Sequence, residues 1–223
     1  MTTDSPPPTV VSLQPRIETT LACIRKTGVL SHRTFVVGAF ADSTGKINSV
    51  APGSTGDYLP QGGSASYITD ALDKAGATVV TTYFGAPHEK VPAEYDINGI
   101  FNSLDFDSPF AGDVQINGIG PTAGVGWADL TLTIQLDAAG TRVNHQIALI
   151  QRPVRYVQIG VGGGTTSGST LLTGSLVVQH QDRLQFEALD GPIALGVADV
   201  VMKEFPRARH NCWQYTGDLL RPQ

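Results

Sequence analysis

The residues that could do chemistry are scattered, and their spacing completes no site. The five histidines, His32, His88, His145, His180 and His210, never fall at separations that let two imidazoles share a metal ion. His88-Glu89 opens like a zinc-protease helix, but Pro92 stands where the second His belongs and would break that helix. Gly160-Val161-Gly162-Gly163-Gly164 has the glycine density of a phosphate loop. A dinucleotide loop needs a helix after it, whereas Thr and Ser follow here and then another strand, which describes a hairpin tip. Lys46 follows Gly45, yet Ile47 takes the place of the Ser or Thr of a Walker loop. Asp105 and Asp107 lie two apart on one strand face. They could form a carboxylate pair or a cation site, but charges facing solvent or a lumen are the commoner reason for that spacing. No nucleophile–base–orienter set is visible, although such sets assemble in space rather than in sequence. The expectation is a protein without catalytic residues, metal or cofactor.

Charge excludes a further class. The formal net charge is −5, and no Lys/Arg cluster could neutralise a phosphate backbone, so no nucleic-acid partner is expected. The one short basic run, Arg207, Arg209 and His210, reads as a solvated helix end. Cys23 and Cys212 are the only cysteines. Two thiols cannot make a zinc site unaided. They could close one disulfide in an oxidising compartment or stand as two buried thiols, and sequence does not choose. No run of eighteen apolar residues could cross a membrane as a helix, and Met1–Thr9 is polar and Pro-rich, unlike a signal peptide.

The elements that would position any site divide the chain at about residue 95. Residues 1–12 read as a tether, because Pro6, Pro7 and Pro8 favour extended backbone. Residues 13–94 read as helix, strand, loop, helix, strand, a small α/β layer. Leu13, Ile17, Leu21 and Ile24 recur at helical spacing and Gly28 stops that helix; Arg33–Phe40 is a buried strand; Ile68, Ala71, Leu72 and Ala75 stripe a second helix capped by Ser64; Ala77–Phe84 is the next strand. Residues 95–187 alternate like paired strands. In Thr131–Leu136 the apolar positions are Leu132, Ile134 and Leu136; Asp137–Gly140 is a turn, and Thr141–Ile150 returns. In Arg155–Gly162, Val157, Ile159 and Val161 oppose Gln158, Gly160 and Gly162. Ser169–Glu187 reads as a long return strand, with Leu172, Leu176 and Val178 among its apolar positions. One hairpin should turn within Pro109–Gly126 and another at Gly163–Gly168. Residues 188–223 are a closing helix, Pro192–Phe205, stopped by Pro206, and a tail.

A strand crossing lipid needs roughly 9–11 residues with alternate ones facing lipid. Val157, Ile159, Val161, Leu172, Leu176 and Val178 are the candidates for such a wall. Two hairpins cannot close a barrel, because open edges leave backbone groups unpaired in lipid. A channel would need a ring of copies; the alternative is an ordinary soluble sheet covered by helices.

Two stretches carry a family resemblance. RTFVVGAFADSTGKIN at Arg33–Asn48 and PQGGSASYITDALDKAG at Pro60–Gly76 resemble the curli-secretion channel family, which includes the CsgG channel and the holdfast-anchoring HfaB proteins. The resemblance spans about Leu13 to Phe205. It implies an outer-membrane lipoprotein facing the periplasm, with an α+β fold in which a small α/β periplasmic domain gives two β-hairpins to one barrel shared by a nonameric homo-oligomer. The partners it implies are outer-membrane lipid and an exported protein or adhesin, and the implied role is export or surface anchoring of a fibre or polymer. It places a constriction in the loop 46–60, where Asn48, Ser54, Thr55, Asp57 and Tyr58 stand, Tyr58 and Asn48 being the aromatic and Asn side chains such a constriction uses. The chain departs from the family in having no lipid-carrying Cys near Met1, since Cys23 falls inside the first helix. A soluble periplasmic interaction or scaffold module with the same core is the second expectation.

Overall fold

The computed structural model describes residues 14–45, 47–50, 54–57, 59, 61–82, 92–106, 110–113, 119–140, 143–163, 174–176 and 181–220. Its frame is a seven-stranded mixed sheet, open at both edges among the described residues, with helices against one face. The chain runs through α1 (Gln14–Thr27), β1 (Thr34–Asp42), a small hairpin of β2 (Ile47–Val50) and β3 (Ser54–Asp57), α2 (Gln61–Lys74) and β4 (Thr78–Thr81). It continues through β5 (Tyr95–Phe106), β6 (Phe110–Asp113), β7 (Ile119–Ala138), β8 (Val143–Gly163), β9 (Gly174–Leu176), α3 (Gln181–Glu204) and α4 (Pro206–Thr216). Strand order is β4-β1-β5-β7-β8-β9, with β6 also paired to β7. β1 is parallel to β4 and β5, and the other pairings in this sheet are antiparallel.

The helices form two layers. α2 and α3 lie on the sheet, α3 against β7 and β8 and α2 against β1 and β4, while α1 and α4 pack on those helices. A helix enclosed between layers must be apolar all round, and Ile193, Leu195, Val197, Val200, Val201 and Met202 of α3 are fully buried. Gly196 lets α3 settle on the sheet: a Cβ there would lie 2.5 Å from Ile134. Facing α2 and α3, the sheet supplies Phe35, Val37, Phe40, Ile97, Phe101 and every second residue of β7 from Ala128 to Leu136. The outer helices are joined covalently by the disulfide Cys23–Cys212, whose Cα atoms are 5.8 Å apart. Arg16 reinforces that seam by donating Nε and Nη2 to the Tyr215 carbonyl at 3.0 and 2.7 Å. The open alternative for the two cysteines is thus resolved as a bond.

Four expectations need correction. Ser64, expected to cap the second helix, lies inside α2, which begins at Gln61. The hairpin turned at Asp137–Gly140 and the alternating run Arg155–Gly162 are parts of one ribbon, because β7 and β8 are continuous over 20 and 21 residues. The turn is set by Gly140, whose φ of 75° suits glycine. The return strand Ser169–Glu187 is wrong in its second half: α3 begins at Gln181, where Gln, Asp, Arg, Leu and Glu are ordinary helix formers. Pro192, expected to open this helix, lies inside it, and Pro206 opens a further helix, α4, where a missing N–H costs nothing.

Candidate functional site

The ribbon of β7 and β8 has two halves with different surroundings. From Ala128 to Ala138, β7 pairs with β5 on one side and β8 on the other, and α3 covers one face. We call this the body. Beyond Trp127 and Arg155 the ribbon continues as an arm. There β6 joins β7, with Phe110 opposite Val125 and Asp113 opposite Thr122, and β9 joins β8, with Leu176 opposite Val161 and Gly174 opposite Gly163. The arm is a four-stranded ladder in the order β6-β7-β8-β9, every neighbouring pair of it antiparallel. Each long strand contributes about nine residues to it, against roughly 9–11 for a tilted strand crossing lipid.

Register links the halves. The β7–β8 pairing runs without a shift from Ile119↔Gly163 to Leu136↔Gln146. Directly opposed residues share a face and alternate residues share it along each strand, so parity defines the two faces of the whole ribbon. In the body, the even positions of β7 (Ala128, Leu130, Leu132, Ile134 and Leu136) and Ala148 and Ile150 of β8 are apolar and buried, while the odd positions of β7 (Asp129, Thr131, Thr133, Gln135 and Asp137) are polar; the odd positions of β8 there include the exposed Ile147 and Leu149. In the arm the pattern inverts. The odd positions of β7 are Ile119, Pro121, Ala123 and Val125, and those of β8 are Val157, Ile159 and Val161. Register adds Phe110 and Leu176 to that face. The even positions are Gly120, Thr122, Gly124 and Gly126 on β7, and Gln158, Gly160 and Gly162 on β8. By register, these apolar positions of the arm have the parity of the body positions that no described helix covers. The change falls at Trp127↔Arg155 and Gly126↔Tyr156, a pair of aromatic positions at the junction.

The loop 46–60 contains the β2–β3 hairpin, with Asn48 opposite Gly56, Ser49 opposite Thr55, Val50 opposite Ser54 and Ile47 opposite Asp57. Asp42, at the end of β1, fastens both of its ends. Its Oδ1 accepts the Thr44 N–H at 3.0 Å and the Thr44 hydroxyl at 2.7 Å, and its Oδ2 accepts the Leu59 N–H at 3.0 Å. One carboxylate thus satisfies donors from both sides of the loop, and Leu59 is sealed into the core. In the sequence this role is signalled only by the Asx-turn run Asp42-Ser43-Thr44-Gly45.

Four of the five predicted constriction residues, Asn48, Ser54, Thr55 and Asp57, come together on this hairpin; Tyr58 lies outside the described residues. Of the predicted wall residues, Val157, Ile159 and Val161 share one parity on β8, and Leu176 is opposite Val161. Leu172 and Val178 lie outside the described residues, as do His88-Glu89 and Asp107. Sequence reading missed Phe110, Ala123 and Val125, hidden in a Gly-rich stretch, and the aromatic junction Trp127 and Tyr156. Among the described residues no cluster of His, Cys, Asp and Glu is arranged to hold a metal ion, and no helix is long and apolar enough to cross a membrane.

No protein-family model matches the sequence, and neither does any curated protein. Solved structures align at low similarity. A protein from Helicobacter pylori described as a neuraminyllactose-binding hemagglutinin homolog is 9% identical over 81% of this chain and 90% of its own, with a TM-score of 0.38. A DUF330 protein from Xanthomonas campestris is 14% identical over 85% and 87%, with a TM-score of 0.31. A minor lipoprotein from Acinetobacter baumannii is 9% identical over 87% and 98%, with a TM-score of 0.27. At these scores the alignments assign neither fold family nor function.

Proposed function

We propose that this chain is one protomer of an outer-membrane ring channel that exports or anchors an extracellular polymer, with the β6-β7-β8-β9 arm as its share of a common barrel wall. The observation that carries this is the inversion of apolar parity between body and arm. A soluble ribbon keeps its buried face on one parity along its length, whereas here the apolar positions of β7 change parity where the helices end and the even positions of β8 pass from Ala148 and Ile150 to Gln158, Gly160 and Gly162. The odd face of the arm then needs an apolar medium other than the body's own helices, and lipid supplies it. Gly, Thr and Gln on the even face suit a water-filled lumen, and aromatic positions at the junction suit a membrane–water interface.

The arm's outer edges, on β6 and β9, have no strand partner among the described residues. In lipid each unpaired backbone group costs several kcal/mol. Edge-to-edge closure of many copies, β9 of one against β6 of the next, removes that cost. The β2–β3 hairpin, held at its base by Asp42, would narrow the passage with Asn48, Ser54, Thr55, Asp57 and Tyr58. Passage needs no covalent chemistry. The full chain extracted in detergent is expected to run as one large symmetric ring and to conduct ions in a planar bilayer. Bulky residues at Asn48 or Thr55 should lower that conductance. A detergent-independent monomer without conductance would overturn the proposal.

A further inference from the structure

One side chain on β8 carries charge and donors that the protein itself does not use. Arg152 has five N–H donors, and among the described residues they meet one acceptor, the Leu219 carbonyl, which Nη2 reaches. Its Nε is buried without a hydrogen-bond partner. A buried donor left unmet is costly, and more so on a charged group. No carboxylate among the described residues pairs with it. Asp218, after α4, is bound to Arg16. Asp199 of α3 holds Lys203 at 2.7 Å, and Lys203 also donates to the Ile147 carbonyl at 2.7 Å. Asp129 opposes Pro153, so it has the other parity from Arg152 and stands off the opposite face of the ladder. Burial lowers the Arg152 guanidinium from its ordinary value, with Asp218 pulling the other way.

The guanidinium lines a groove of about 590 Å³, within the roughly 300–1,000 Å³ of small-molecule sites. By parity, Ile150 and Arg152 stand off the helix side of β8, and Ile147 and Leu149 off the helix-free side. The groove therefore follows the rim of the sheet, where β8 has no strand beside it between Val143 and Gly160 among the described residues. Leu219 and Leu220 close its helix side. On its other side stand Ile147, 49% exposed, and Leu149, 66% exposed, two of the three large exposed apolar side chains among the described residues. An unanswered cation beside an apolar trough is complementary to one kind of ligand, an anionic head on an apolar chain.

We infer that this groove binds a single-chain anionic amphiphile, its carboxylate on the Arg152 guanidinium and its chain along Leu149, Leu219 and Leu220. A planar guanidinium gives a carboxylate two parallel N–H bonds, where an ammonium offers only a point charge. The chain takes the apolar surface of Leu149 out of water. The site is built from one copy of the chain, so it stands apart from the ring proposed above.

The test uses the full chain in a neutral maltoside detergent, dialysed to equilibrium against radiolabelled octanoate. Saturable uptake of one octanoate per chain is expected. Octanol has the chain without the charge and acetate the charge without the chain; each should bind about tenfold or more weakly. Arg152→Gln should weaken octanoate by a similar factor, and octanoate should raise the melting temperature of the wild type but not of this variant. Leu149→Ser, at an exposed position, should leave melting unchanged and weaken octanoate without changing acetate. Equal uptake by the wild type and Arg152→Gln would mean partition into the micelle only, and would overturn the site. The octanol and acetate comparisons need no variant. Acetate as tight as octanoate would leave an anion contact without an amphiphile groove, and octanol as tight as octanoate would leave Arg152 without a role; either would overturn the inference.

Discussion

Body and arm are two halves of the same pair of strands, built on opposite rules. In the body, β7 and β8 turn Leu130, Leu132, Ile134 and Ile150 toward α3 and leave Thr131, Thr133 and Gln135 on the open face. In the arm, the apolar residues occupy the other parity and glycine, threonine and glutamine the first. Because no register shift separates them, the inversion is a property of sequence laid on an unbroken ladder. A ribbon of about 20 residues extends roughly 65 Å, far enough to leave one environment and enter another. What the difference teaches is that one ladder can carry two patterns of apolar residues, and that α2 and α3 account for the body's pattern alone.

The largest effect should separate the halves most sharply. Phe101, fully buried and stacked on Phe40 with ring centroids 4.3 Å apart, belongs to the body. Phe101→Ala should cost about 3–5 kcal/mol and lower the melting temperature equally in buffer and in detergent. A loss seen only in detergent would contradict the division.

Reducing the disulfide comes next. Cys23–Cys212 ties the first helix to the last, and its removal should cost about 2–5 kcal/mol, read as a drop in melting temperature when dithiothreitol is added. The same drop in a Cys23→Ser/Cys212→Ser variant, insensitive to dithiothreitol, would assign the effect to this bond.

In the arm the expected sign depends on face and medium. Ile159→Arg should cost about 2–4 kcal/mol in a bilayer and abolish insertion, yet leave melting in buffer within about 0.5 kcal/mol. Gln158→Arg, one residue away on the opposite face, should still insert and alter only ion selectivity. Equal tolerance of the two would erase the contrast between faces.

Asp42→Ala removes one acceptor from the Thr44 and Leu59 N–H groups and should cost about 1–3 kcal/mol locally. Faster amide exchange confined to residues near 44 and 59 would check it.

The smallest effect concerns pH. Burial holds the Asp199 carboxyl above its usual range, while Lys203, at 2.7 Å, pulls the other way. The folded chain therefore binds this proton more tightly than the unfolded chain. Stability from this group falls as pH rises from the ordinary carboxylate range through Asp199's raised value, and is level above it. Asp199→Asn should flatten that part of the stability–pH curve by under about 1 kcal/mol. An unchanged curve would remove Asp199 as its source.

The α/β body was legible because its signals are local. Ile17, Leu21 and Ile24 at helical spacing, Gly28 at a helix end with φ of 69°, and the stripe Ile68, Ala71, Leu72 each report one element without reference to another. The alternation of Val157, Ile159 and Val161 was equally plain. What no local pattern reported was phase. Leu132 and Val157 both begin clean alternations, and only the pairing of Trp127 with Arg155 reveals that they face opposite ways. Glycine hid the rest: Gly120, Gly124 and Gly126 diluted the apolar signal of β7, so only Thr131–Leu136 of that 20-residue strand read as a strand, and its first residues fell in the Pro109–Gly126 stretch expected to hold a turn. Pro192 and Pro206 misled through position, one tolerated inside α3 and the other opening α4. The candidate constriction was placed by resemblance; its anchor, Asp42, became visible only when Thr44 and Leu59 were seen at the same carboxylate.

The most direct test of the two-faced arm is accessibility along a single strand. Nitroxide labels placed one at a time from Val157 to Val161 on the full chain in liposomes should alternate. Val157, Ile159 and Val161 should collide with lipid-dissolved oxygen, and Gln158 and Gly160 with a water-soluble nickel chelate. Uniform collision with the chelate at all five positions would mean that the odd face meets water, and would contradict the membrane wall.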